Sequence, residues 1–458
     1  MWILALLPAE GRTQPVAPCP PEFETLRYDE NYSCLADPNA RRGLLDAMKY
    51  IPLPLGSNSY LSLGGEARLR YDYKHNPTWG QDPQDPWGAF LQRYQLHADV
   101  HLGQRFRVFA QLRSALENGR TGEPSPVEEG ELDVQQAFAD LELLARPAVD
   151  LTLRLGRQEV RLGSERLVSV REGPNVRRRF DGGRGLLGLG DWDLSALAMY
   201  PAQNEDGVFQ DGTNTDQALW GAYAVGPGFG VPGLRLDLYY LGFRDADATY
   251  AQGSGRETRH SLGARFWGAD GGWDWNWEAL YQFGRFAGSD IGAWTLASDT
   301  GYRLHELPWA PRLGLGANIA SGDRDRDDGS LQTFNPLFPR GTYFDELGLL
   351  GPRNFFNVHP FLTVRPRPDL SLTADVDFFW RLSRQDGVYD PAGNLLRDGT
   401  GSDARYVSTL VSATSEWQFN RHLLLTLVYT HVFPGEFVRE TGPHEDIDFV
   451  EVTAKLLF

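Results

Sequence analysis

The stretch YLSLGGEARLRYDY, residues 60–73, decides the fold. Leu61, Leu63, Gly65, Ala67, Leu69 and Tyr71 fall on one side of an extended chain, and Ser62, Gly64, Glu66, Arg68, Arg70 and Asp72 on the other. A strand projects successive side chains to opposite faces, so a period of two means one apolar and one polar surface. The pattern returns in LSLTADVDFFWRLS (370–383), where Leu370, Leu372, Ala374, Val376, Phe378 and Trp380 oppose Ser371, Thr373, Asp375, Asp377, Phe379 and Arg381. In WDWNWEALYQF (273–283), Trp273, Trp275, Trp277, Ala279, Tyr281 and Phe283 share one side. About ten alternating residues is the length a tilted strand needs to cross a bilayer.

From Tyr60 onward this reading yields about eighteen strands. Their connections alternate between short ones (GQR at 103–105, ARPAV at 145–149, GLG at 188–190) and long ones (ENGRTGEPSPVEEGEL at 117–132, NEDGVFQDGTNTD at 204–216). The rhythm weakens at 286–290 and 303–310. Strands 233–244 and 258–268 are expected to flank another long connection. Short turns on one side and long loops on the other are expected of a transmembrane antiparallel up-and-down β-barrel, with short periplasmic turns and long extracellular loops. The last stretch, DFVEVTAKLLF (448–458), puts Val450, Val452, Ala454, Leu456 and Phe458 on one face. It resembles the terminal strand of bacterial outer-membrane proteins, whose final aromatic residue belongs to the signal read by the barrel-assembly machinery. The expected partners therefore include that machinery, through the Phe458 strand, and outer-membrane lipid.

Composition agrees with this class. No run of about eighteen apolar residues exists, which excludes a transmembrane helix, and a mean hydropathy of −0.40 does not exclude a barrel, because alternation averages away. Glycine (50) and tryptophan (13) are abundant. Residues 1–59 divide from the barrel at 60–458. They are expected to be a leader remnant (MWILALLPAEGR) followed by an N-terminal periplasmic segment. That segment carries both cysteines, Cys19 and Cys34, fifteen positions apart. They suit a local disulfide in an oxidising compartment; two reduced bystander thiols are the alternative, and two ligands alone make a poor zinc site.

In a membrane barrel the apolar face meets lipid and the polar face meets the lumen. Glu66, Arg68, Arg70 and Asp72 then point inward, as do Arg93, His97, Asp99 and His101, then Arg105, Arg107, Gln111 and Arg113. Arg154, Arg265, His359, Thr363, Arg365, Asp375, Asp377 and Arg381 follow from later strands. Alternation slips at Gly156, which reads as a bulge or as the strand leaving the membrane, and brings in Arg157 and Arg161. Residues 156–184 hold eight arginines within a chain of net charge −17, and only three of the 44 basic residues are lysine. Codon bias accounts for that ratio as well as function does. Each arginine alone suits a wall salt bridge; together they outnumber the acids on these faces and make a positive interior, in which field lines focus on anions despite the net charge.

Here the residues resemble a family. LRLGRQEVRLGSERLVSVREGPNVRRRFDGGR (153–184), supported by FNPLFPRGTYF (334–344), looks like the alginate-export family of outer-membrane porins. The resemblance runs from about residue 60 to the end. It implies an eighteen-stranded barrel with an arginine-lined channel, in a family whose best-known member passes an anionic uronic-acid polymer outward. It places Gly156, Arg157 and Gln158 in the matching GRQ core, and Arg171, Asn175 and Arg177 in the stretch behind it. The expected function is a bacterial outer-membrane channel for anionic solutes, either uronate-type polysaccharide or small carboxylates. Arg68, Arg70, Arg93, Arg113, Arg154, Arg157, Arg161, Arg171, Arg177, Arg365, Arg381, Asp375 and Asp377 are its expected pore-lining residues.

The competing reading is an outer-membrane enzyme with a lumenal or outer-rim active site. No G-x-S-x-G or H-E-x-x-H occurs, and His97 and His101 lie about 13 Å apart along a strand, too far to share a metal ion. DRDRDDG (323–329) resembles a calcium loop, but Gly329 falls one place late. No cofactor, metal, catalytic residue or nucleic-acid partner is expected.

Overall fold

The computed structural model describes residues 18–121 and 124–458; the leader expected at the start lies largely outside them. Eighteen antiparallel strands close a barrel. They are β1 (Tyr60–His75), β2 (Ala89–Leu102), β3 (Phe106–Asn118), β4 (Gly130–Arg146), β5 (Val149–Gln158), β6 (Phe180–Leu189), β7 (Trp192–Pro201), β8 (Gln217–Pro227) and β9 (Leu234–Tyr250). The circuit continues through β10 (Gly253–Asp270), β11 (Trp273–Phe286), β12 (Ser289–Arg303), β13 (Arg312–Ala320), β14 (Phe355–Arg367), β15 (Leu370–Arg381), β16 (Tyr406–Asn420), β17 (Leu423–Pro434) and β18 (Ile447–Leu457). Each strand pairs with the next, and β18 returns to β1 from Glu66↔Leu457 to His75↔Asp448, so no edge is left unpaired.

The alternation read from sequence sets which side chain faces where. Leu96 is 59% and Tyr281 52% exposed on the outer wall, whereas Arg93, one register step away from the outward row, is fully buried inside. The barrel is thus apolar toward lipid, the arrangement a bilayer requires, and its inner wall is charged along β1 to β5. At Gly156 the ladder keeps register with Gly182, and the strand ends two residues later, so no bulge forms there. Gly156 has φ +130°, and a Cβ on it would lie 2.2 Å from the Ala137 carbonyl, which is why only glycine fits.

One expectation is corrected. The long connection expected between 244 and 258 is strand. β9 runs on to Tyr250 and β10 begins at Gly253, with a register shift between Asp245 and Ala248. In this extension Ala248 and Tyr250 are buried with Phe286, Ile291 and Leu331, while the Asp- and Gly-rich sequence between Asp245 and Gly255 hides the strand period.

The interior is filled from both ends. Loop 159–179 and loop 321–354 fold inward from the long-loop end and meet each other. Val168 and Phe338 form a parallel bridge, with Ser169 N donating to Phe338 O at 3.0 Å. Phe338 packs edge-on against Phe180 and Phe243, and Phe344 against Phe355 and Phe379. These loop residues cover an apolar inner wall of Leu219, Tyr223, Tyr239, Leu241 and Phe243, all buried. Fully burying one such side chain contributes about 1.5–3 kcal/mol, enough in sum to hold both loops inside.

From the short-turn end comes the segment preceding β1, in which Cys19 is bonded to Cys34. Arg27 donates to the carbonyls of Gly65 (2.8 Å) and Phe458 (3.0 Å). Tyr28 packs edge-on against the inward rings of Phe109 and Phe138 and lies under the Arg154 guanidinium. The segment sits within the periplasmic mouth of the barrel rather than trailing from it.

Candidate functional site

Strands β1 to β5, with the loop behind β5, supply most of the charge read from the sequence, and the structure shows what each charge touches. Arg70 contacts Asp72 (2.6 Å) and Glu451 (3.3 Å); Arg93 contacts Glu66 and Glu172, both at 2.6 Å. Arg113 is buried against Asp211, Arg154 against Asp140 (2.7 Å), and Arg157 against Asp181 (2.7 Å). Arg177 pairs with Glu159 (2.9 Å) and Glu172 (3.2 Å). In a low-dielectric wall an unpaired charge costs several kcal/mol, and each of these guanidinium groups is held by at least one carboxylate, for Arg177 from its own loop and for the others from another strand or loop.

The remaining expected residues divide differently. Asp377 is buried and accepts both hydrogen bonds from the Asn357 amide, while Asp375 stands 3.3 Å from His359. Arg365 is exposed near the short-turn end. Arg161 touches Glu165 only at 3.9 Å and stays partly exposed. Arg381, also expected to line the pore, is bound to the rim loop. It is fully buried, and its donors go to the carbonyls of Ala404, Arg384, Gly399 and Ser402, which pin loop 382–405 to the rim.

Three guanidinium groups near the loop junction have no carboxylate within ion-pair distance among the described residues. Arg68 is bound by carbonyls of Glu172 (2.8 Å) and Gly173 (2.9 Å) and by the Asn175 side chain. Arg171, with φ +55°, reaches only the Val176 carbonyl at 3.2 Å, and its Nε has no partner. Arg178 donates to the Pro339 carbonyl at 2.9 Å and lies over the Phe338 ring. The backbone bond from Arg178 N to Val170 O at 2.7 Å folds this segment back on itself, so Arg171 and Arg178 become neighbours where loop 159–179 meets loop 321–354. Burial lowers the Arg171 guanidinium to about 10, with Glu128 acting against it; burial and the Arg171 charge lower Arg178 too. Two half-buried cations short of counter-charge gain directly when an anion arrives.

Arg178 escaped the sequence reading because the triplet Arg177–Arg179 interrupts alternation, so parity could not assign its direction. Asn175 carried a signal in the family stretch. Its side chain donates to the carbonyls of Gln92, Leu116 and Glu128 and so fixes the loop to the wall.

A family model described as Alginate export matches residues 59–450. No curated protein sequence matches significantly. Among solved structures from Pseudomonas aeruginosa, OccK2 (OpdF) in complex with glucuronate is similar at 13% identity and TM-score 0.56, over 89% of this chain and 99% of that one. OpdK with vanillate is similar at 11% identity and TM-score 0.57, over 87% and 98%. OccD3 (OpdP) is similar at 12% identity and TM-score 0.59, over 90% and 95%. At these identities the likeness is one of fold.

Proposed function

We propose, from the premise that this chain belongs to the alginate-export family of bacterial outer-membrane β-barrel porins, that it passes small carboxylate anions of uronate size past Arg171 and Arg178. The family and the closed barrel establish a porin-like channel of the outer membrane. The finer reading, an anion route through the guanidinium cluster, rests on one observation. Most lumenal arginines carry a carboxylate, whereas this pair, at the meeting of two infolded loops, carries none.

A charge-assisted hydrogen bond contributes about 1.5–3 kcal/mol, so two such donors hold a carboxylate without trapping it, as conduction requires. The filled interior favours a small solute over a polymer, since a polymer would have to displace both loops and the N-terminal segment at once. Two structural neighbours bear on this choice, one solved with glucuronate and one with vanillate, each a single-ring carboxylate. The reading is tested by reversal potential across a salt gradient in planar bilayers. Replacing both residues (R171Q/R178Q) is expected to reduce anion preference; an unchanged reversal potential would remove them from the route.

A further inference from the structure

A second cluster of arginines lies outside the barrel, at its extracellular rim. A cavity of about 460 Å³ opens there above the ends of β12 to β15, and its lining includes Trp294, Gln385, Arg324, Arg384 and Arg405. None of the lining residues is acidic. All three arginines are exposed. Arg324 and Arg405 have no carboxylate within ion-pair distance among the described residues, and Arg384 touches only Asp403, at 3.6 Å. Arg405 is braced by donating to the Leu382 and Arg381 carbonyls. In the adjoining loop Asp323 is buried and accepts from Gln252, whereas Asp325 and Asp328 accept from the backbone N–H of Asp327 and Ser330.

Position narrows the ligand. Trp294 lies on the outward row of β12, and Phe356, Trp380 and Tyr406 form an outward stack directly below the arginines, with ring centroids 4.8 Å and 5.6 Å apart. Aromatic girdles mark the membrane–water interface of a barrel. Guanidinium groups just beyond the girdle stand at headgroup height, where their planar forks match phosphate oxygens.

We propose that this cavity binds a phosphate monoester, and that the phosphate belongs to the phosphorylated glycolipid of the outer leaflet, whose acyl chains would lie along the aromatic stack.

The test uses the folded full-length protein in detergent, titrated with bisphosphorylated lipid A or its dephosphorylated form and read by native mass spectrometry. The phosphorylated lipid is expected to be retained about tenfold or more better, since at least one charge-assisted contact is at stake. The double variant R324Q/R384Q is expected to lose that difference, while R326Q, in the same loop but paired with Asp398, keeps it. R384Q alone serves if the double variant does not fold, with gel mobility before heating as the folding control. Equal retention of the two lipids, or retention unchanged in R384Q, overturns the proposal. Displacement of the lipid by millimolar inorganic phosphate also overturns it, by assigning the cavity to a free anion.

Discussion

Arg177, at the end of the loop that descends from the outer rim, donates to the carbonyl of Thr25, in the segment that enters from the periplasmic mouth, at 2.8 Å. One side chain therefore joins two infoldings that arrive from opposite ends of the barrel.

The same guanidinium is buried against Glu159, itself fully buried, so R177Q leaves a carboxylate without its cation. Breaking one half of a buried pair costs about 3–5 kcal/mol. R177Q is expected to raise amide hydrogen exchange across 159–179 and around Thr25 together, and R177Q/E159Q to recover much of the protection. Faster exchange in the loop alone would mean the two infoldings are not coupled.

Tyr28 anchors the N-terminal segment through two ring contacts, the Arg154 guanidinium and a 2.8 Å hydrogen bond to the Glu159 carbonyl. Removing a buried aromatic side chain costs about 3–5 kcal/mol. Y28A should leave the barrel folded, by gel mobility before heating, yet raise single-channel conductance and gating noise; unchanged conductance would show that the segment does not obstruct the lumen.

Asp345, in loop 321–354, is raised to about 7 by burial and by the facing Asp375, with Glu346 adding to it against backbone donors from Gly348 and Leu347. A carboxyl that keeps its proton when docked but releases it when free favours docking at low pH. That advantage falls away as pH rises from about 4 to about 7. Exchange protection of residues 334–350 should therefore increase on acidification, and D345N should flatten the dependence. Protection that increases with rising pH would contradict the placement of Asp345.

Arg154 and the Arg171–Arg178 pair separate wall from route. Arg154 makes two bonds to Asp140, at 2.7 and 2.9 Å, so R154Q is expected to lower resistance to unfolding while leaving ion preference near that of the parent. R171Q/R178Q is expected to do the reverse. Equal selectivity changes in both would mean that paired and unpaired guanidinium groups contribute alike.

Much of the barrel was legible because hydrocarbon imposes a period of two, as Leu61 to Tyr71 and Trp273 to Phe283 show. The interior was less so. Arg113 finds its counter-charge at Asp211, 98 positions away, and Phe338 packs against Phe180 and Phe243 from a loop without periodicity. Alternation tells which residues face inward; it does not tell which are neutralised once there. Arg381 faces inward and yet serves the rim loop. Tyr28 lies ahead of the first strand, where no repeating pattern marks a segment that docks inside.

The most direct measurement is single-channel recording of the unmodified protein in planar bilayers under a salt gradient, with glucuronate added to one side. Anion-over-cation selectivity, with current block that weakens as salt screens the guanidinium groups, is the predicted result. A cation-selective channel, or one indifferent to glucuronate at every ionic strength, would contradict the account.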